Sequence, residues 1–279
     1  MKKVLELLSD TKVKITVIAV LVGLFAIMMI GAIAKNRMNN QEEQKEEVTK
    51  EVELTEDLKK TIAKYINDLS TGNYCEIAAQ LPYANDCIYR QDSTTVTNLS
   101  DVYRTYSLVK AIGARSENNI MVGTIVTEGK AFYNPHFVDL DVAAKEYTNL
   151  YGKEATFTPE LVNNLTDINI RYDASRKKFF YLDQQDNEFV INYIDHYETK
   201  ESELDVYVRV GYMSYLAYKY KLYTGKDKLN LQGDFNSREY KEGNLINESN
   251  ASTFKEYKFV FTKEEGSNNL VFKQVSLNN

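Results

Sequence analysis

Ile15–Ala34 reads ITVIAVLVGLFAIMMIGAIA, twenty residues without a charge, and nothing downstream repeats it. No other stretch limits the possible folds so tightly. A helix of that length rises about 30 Å, the thickness of a bilayer's hydrocarbon core. In that core every backbone polar group must be satisfied within the segment, so a lone span has to be a helix. Gly23 and Gly31 lie eight residues apart and give no GxxxG dimerisation face. The expectation is an uncleaved signal anchor. A buried core helix and a cleaved signal peptide are the alternatives. For the latter, Lys2, Lys3, Lys12 and Lys14 supply the basic flank and Ala32-Ile33-Ala34 the small-residue pattern. The run exceeds the usual apolar region of about 7–15 residues, which favours retention. The basic flank places the N-terminus inside, against the opposing pull of Lys35, Arg37 and Lys45.

The expected layout is therefore a cytoplasmic tail at 1–14, a transmembrane helix at 15–34, a polar stalk at 35–53 and an extracytoplasmic α+β domain at 54–279. The bilayer is a partner through Ile15–Ala34, and the cell membrane is the expected location. The stalk is rich in Gln, Glu and Lys and lacks Gly and Pro. Val48, Val52, Ile62, Ile66 and Leu69 fall at mixed helical spacings, but Thr55 and Lys59 interrupt any coiled-coil seam.

A net charge of −6 over 279 residues offers no electrostatic basis for binding nucleic acid. The 21 Tyr against no Trp, with heavy use of Asn, Lys, Glu and Ile, match the usage of an AT-rich bacterial genome. Cys75 and Cys87 are the two cysteines, and an oxidising exterior favours a disulfide between them. Such a short loop contributes roughly 3 kcal/mol on the chain-entropy model. Two free buried thiols are the alternative; a CxxC redox pair and a completed zinc site are excluded by spacing and by the lack of a nearby His.

Thr55–Leu69 predicts a helix with Thr55 as its cap and Leu58, Ile62, Tyr65, Ile66 and Leu69 on one face. Further helices are expected at Cys75–Gln80, Ser100–Ala111, Val138–Leu150 and Thr158–Leu165. Ile120–Thr127 alternates as a strand and turns at Glu128-Gly129-Lys130. Ile168–Leu182 reads as a hairpin, and Phe189–Ile194 fits either strand or short helix. From Leu204 to Leu222 the apolar residues Val206, Val208, Val210, Tyr212, Leu216, Tyr218, Tyr220 and Leu222 alternate with polar ones. This predicts one long strand, bent or bulged at Gly211. A hairpin turned at Glu264–Asn268 closes the chain.

Helices first and a curved antiparallel sheet afterwards make an α+β layer arrangement. Over Leu54–Leu277 the order resembles a cystatin-like or NTF2-like (nuclear transport factor 2-like) cone, with helices packed on the concave side of a bent sheet. The whole layout resembles single-pass envelope proteins of low-GC Gram-positive bacteria, and also the VirB8-type assembly proteins of conjugation machines. The first resemblance implies an interaction or scaffold domain of the envelope with a protein partner; the second implies a part in a conjugation or secretion complex.

Catalytic signatures do not stand out. The sequence holds no P-loop, GxGxxG, HExxH, GxSxG or EF-hand loop, and no cofactor is implied. His136, Asp139 and Asp141 could ligate a metal, but a polar loop entering a helix explains them as well. His196 reads as a strand-end residue. The candidate interaction face is Tyr207, Arg209, Tyr215, Lys219, Lys221 and Tyr223, on the less apolar side of the long strand, where Tyr offers contact area with a polar tip. A ligand-binding or catalytic cone would need convergent polar groups on the inner face, which is instead Val, Leu and Tyr.

Overall fold

The structure is a computed structural model and describes residues 52–71, 88–89, 99–116, 119–165, 169–182, 188–242, 244–264, 267 and 269–278. The elements among them are α1 (Glu56–Ser70), α2 (Asp101–Arg115), β1 (Thr124–Thr127), β2 (Lys130–Tyr133), β3 (His136–Asp139) and α3 (Leu140–Tyr151). After them come β4 (Ile170–Asp173), β5 (Lys178–Tyr181), β6 (Glu188–Thr199), β7 (Glu203–Leu216), β8 (Lys219–Tyr223), β9 (Leu231–Phe235) and α4 (Ser237–Glu242). The last strands are β10 (Lys255–Lys263) and β11 (Leu270–Asn278). Short 3-10 helices lie at Pro159–Asn164, where a longer α-helix is expected, and at Ala251–Thr253.

Two expectations are corrected. The fold is mostly antiparallel sheet with few helices, in three separate sheets, not one curved sheet covered by a helical layer. The transmembrane, single-pass part finds no support. Among the described residues no helix is long and apolar enough to cross a membrane. The longest, α1 and α2, have 15 residues each and so rise only about 22 Å. Ile15–Ala34 itself, like Cys75 and Cys87, lies outside the described residues.

The helices that do form follow local rules. Thr55 Oγ1 accepts from the Leu58 amide (3.2 Å) and caps α1; Ser100 Oγ does the same for Tyr103 at α2 (3.2 Å). Ile62, Tyr65, Ile66 and Leu69 of α1 and Tyr103, Tyr106, Leu108 and Val109 of α2 are buried in the main core. Asp68 is wholly buried between them. Lys64 Nζ reaches it at 3.0 Å, Arg115 pairs with it, and Lys64 also pairs with Glu146 of α3. One carboxylate thus ties three helices, and stripping its cations would cost about 3–5 kcal/mol. Tyr181 of β5 lies against α2 where Gly113 leaves room, and its hydroxyl donates to the Gly113 carbonyl at 2.8 Å.

After α2 the expected strand and its turn at Glu128-Gly129 form, and the return strands β2 and β3 add to them. Asn119–Thr127 runs antiparallel to Lys130–Asp139 as one long ribbon, with Glu128 and Gly129 both left-handed at its tip (φ 48° and 71°). That is the geometry of a two-residue hairpin loop. Its base, β3, joins β5 and β4 in a three-stranded sheet. At the β4–β5 turn, burial opposes ionisation of Asp173. Hydrogen bonds from Ser175 and from the Arg176 amide and guanidinium outweigh it and bring the carboxyl down to about 2.

The six-stranded sheet is built on β7. β6 pairs along one side of it; on the other side β10 pairs with Glu203–Val210 and β8 with Tyr212–Leu216. Gly211 stands between the two partners. A Cβ there would lie 2.6 Å from Leu222 Cδ1 and 2.9 Å from Ile246 Cδ1, so the glycine is required for space. Val206, Val208, Val210 and Tyr212 face the main core with Tyr257, Phe259 and Phe261. Each such side chain contributes about 1.5–3 kcal/mol on burial. The opposite face of the second half carries its own core: Met213, Tyr220, Leu222, Ile246, Ala251 and Phe254.

Candidate functional site

The six residues expected to share a face are split between two. Ala217 and Tyr218 are both left-handed (φ 52° and 64°), and a two-residue turn joins β7 to β8 there. Leu216 then opposes Lys219 and Tyr215 opposes Tyr220. Opposed residues share a face, so an odd position on β7 matches an even one on β8. Tyr207, Arg209 and Tyr215 therefore lie on one side of the sheet, and Lys219, Lys221 and Tyr223 on the other. Tyr215 packs on Tyr220 (4.6 Å) in the second core, Lys219 pairs with Asp234 (3.5 Å), and Tyr223 packs on the main core.

Tyr207 and Arg209 do belong to a polar site. The register of β6 against β7 shifts between Ile194 and His196, which leaves Asp195 as a bulged residue. The bulge turns His196 to the outer face, where its ring stacks on Tyr207 at 4.1 Å and 9°. The Tyr207 hydroxyl donates to Glu198 Oε2 at 2.9 Å. Burial, and then the Glu198 carboxylate, push that phenol up to about 12. Arg209 Nη2 stands 2.6 Å from Glu256 Oε2 and 3.5 Å from Asp195 Oδ2, and its Nη1 donates to the Phe254 carbonyl at 3.3 Å. Glu256 also accepts from Asn278. Beside them the buried Asp205 carboxylate meets Lys200 (2.6 Å) and Lys258 (3.6 Å).

Asp195, His196 and Glu256 each bring a potential ligand atom within 4.8 Å of the others. Arg209 stands against both carboxylates and offsets one of their two charges, so a metal ion would have to displace a guanidinium 2.6 Å from Glu256. The arrangement is an ion-pair network across three strands. The other suggested trio comes apart for a geometric reason. His136 and Asp139 lie three positions apart on β3 and point to opposite faces. His136 stacks on Tyr181 (5.4 Å), Asp139 pairs with Lys178, and Asp141 opens α3.

A second surface was not signalled by the sequence. On the β1–β2 hairpin, Thr124 opposes Tyr133 and Val126 opposes Ala131. This face is open, with Tyr133 73% and Val126 64% exposed, and Val122 (88%) and Ile120 are exposed in the segment leading into β1. The reverse face carries Phe132, which is fully buried. Alternation alone marks Ile120–Thr127 as a strand, but it does not tell which apolar side turns outward when both sides carry Ile, Val or Phe.

The chain matches no known protein-family model, no curated protein and no solved structure. The fold and these two surfaces define a β-rich domain with one charged face crossed by ion pairs and one open apolar ribbon.

Proposed function

We propose that this protein is an interaction or scaffold module, and that the open face of the β1–β2 ribbon is its contact surface for a protein partner. One observation carries the reading: Val126 and Tyr133 stand exposed on one face of a hairpin whose other face holds the buried Phe132, and Val122 is exposed in the segment leading into β1. Contiguous exposed apolar surface of this kind marks interaction sites in soluble domains, and Tyr is enriched in such contacts. The ribbon is stiffened by its two-residue turn and by Asn134, whose Oδ1 accepts from the Gly123 amide at 2.7 Å. Its outward side chains are therefore presented in a fixed geometry. The charged outer face around Arg209 suits a partner less well, because Arg209 already pairs with Glu256, and Lys200 and Lys258 with Asp205.

The test is a photocrosslinking residue placed at Tyr133 and, separately, at Tyr207 in the full chain within its native host. A discrete crosslinked partner is expected from position 133. It should vanish when Val122 and Val126 are changed to Ser, with thermal stability within about 0.5 kcal/mol of wild type, as for surface changes elsewhere. Equal crosslinking after those changes, or a partner at 207 alone, would overturn the assignment.

A further inference from the structure

The ribbon has edges as well as faces. Among the described residues β1 pairs with β2 alone. The Asn134 amide donates to the Gly123 carbonyl at 2.8 Å, which fixes the phase of the ladder. Ile125 and Thr127 turn their backbone groups towards β2, and Thr124 and Val126 turn theirs along the outer edge of β1. Thr124 and Val126 are both exposed. Other edge strands carry the devices that discourage stray pairing. The Asn163 side chain takes up the Tyr172 N–H (2.7 Å) and C=O (3.0 Å) of β4. β6 carries Glu188, Asp195 and Glu198 and a bulge, β9 carries Asp234, and β11 carries Lys273. β2 carries Lys130 and is followed by the left-handed Asn134 and by Pro135. Asn119–Thr127, by contrast, holds neither a charge nor a proline.

This unguarded edge is complementary to itself. About a twofold axis through Ile125, antiparallel pairing sets Thr124 against the Val126 of a second copy, Val126 against its Thr124, and Ile125 against its Ile125. That register pairs the outward N–H and C=O of Thr124 and Val126 in both copies, four hydrogen bonds in all. No charge opposes another in it, and each facing pair is β-branched, the kind that packs well across strands. We infer that the outer edge of β1 is a self-pairing edge, at which two copies of this chain join into a four-stranded sheet ordered β2-β1-β1-β2. The axis stands perpendicular to that sheet, so Val126 and Tyr133 of both copies face the same way. The joined sheet therefore doubles the open apolar face. The inference concerns the edge and holds whether or not the face binds another protein. Four hydrogen bonds over a short strand make a small interface, so the dimer is weak and concentration-dependent.

Sedimentation equilibrium of the full chain tests this. The mass should rise from 32.1 kDa towards twice that value as protein concentration increases. Thr124→Pro removes an outward N–H and no bond of the β1–β2 ladder. By symmetry it deletes two hydrogen bonds of the dimer, and the dissociation constant should rise about tenfold or more. Changing Val122 and Val126 to Ser keeps every edge amide and should leave the dimer in place, so the edge and the face fail separately. Facing residues of a non-hydrogen-bonded pair have Cα atoms about 4.5 Å apart, within reach of a disulfide. Ile125→Cys should therefore give a bridged dimer on mild oxidation that is absent from wild type and from Thr127→Cys. A chain monomeric at every concentration, a Thr124→Pro protein that dimerises as well as wild type, or no bridge with Ile125→Cys would overturn the proposal. Should Thr124→Pro not fold, Thr124→Lys keeps the amide and sets like charges diagonally across the axis. It should weaken the dimer, and unchanged dimerisation would overturn the proposal equally.

Discussion

The two halves of β7 make different use of similar sequence. In Glu203–Val210 one face buries Val206, Val208 and Val210 while the other carries Asp205, Tyr207 and Arg209 in a network of ion pairs. In Gly211–Leu216 both faces bury apolar side chains, Tyr212 in the main core and Met213 in the second, before the strand ends at the exposed Leu216. The first half is a sheet with one wet side; the second is a wall between two cores. The difference lies in the strand each half pairs with. The first half meets β10, whose outward residues Glu256 and Lys258 are charged, and the second half folds back on β8 beneath Ile246, Ala251 and Phe254.

The largest effect should come from the second core. Met213→Ala removes a fully buried side chain there and is expected to cost about 2–5 kcal/mol. Ser276→Ala, on the polar face beside Lys258, should stay within about 0.5 kcal/mol. Urea unfolding with both variants checks this, and a Met213 loss as small as that of Ser276 would erase the contrast. Gly211→Ala should come next at about 1–3 kcal/mol, because its Cβ must push Leu222 and Ile246 aside; a neutral result would show that the boundary between the halves is loosely packed. The smallest effect is a gain. Changing Ala217→Asn and Tyr218→Gly relieves two left-handed residues and should raise stability by about 1 kcal/mol, visible as a higher thermal midpoint. A fall instead would mean that the exposed Tyr218 supports the hairpin by a contact of its own.

The same contrast shows what could be read from residues alone. Capping and apolar spacing are local signals, so α1 was legible from Thr55 and its apolar face, and α2 from the spacing of Val102, Tyr103, Tyr106 and Val109. The β4–β5 and β10–β11 hairpins were legible because their turns interrupt clean alternation. Faces were not. Alternation carries sidedness only within one unbroken strand, and the parity is reset once by the turn at Ala217-Tyr218 and again by the bulge at Asp195. Ala-Tyr is a poor signature for a two-residue hairpin, which ordinarily takes Asn-Gly. The candidate face was therefore divided in space. The Arg209 network draws on β6, β7 and β10, and no spacing in the sequence connects those strands.

The order of the strands also sets a schedule. β7 meets β6 and β8 through neighbouring segments, whereas its partner β10 comes only after β9, α4 and the loop to Phe254. Pairings between distant segments form late, since the chain between them must be ordered before the contact returns free energy. Until then Glu203–Val210 is an open edge with a row of valines, the kind of surface that recruits strands from other molecules. The charges that line its outer side and the incoming strand, Asp205, Arg209, Glu256 and Lys258, make a foreign hydrophobic strand a poor substitute. The ion-pair network thus acts as a password for closure, read once during folding and kept afterwards as the polar face.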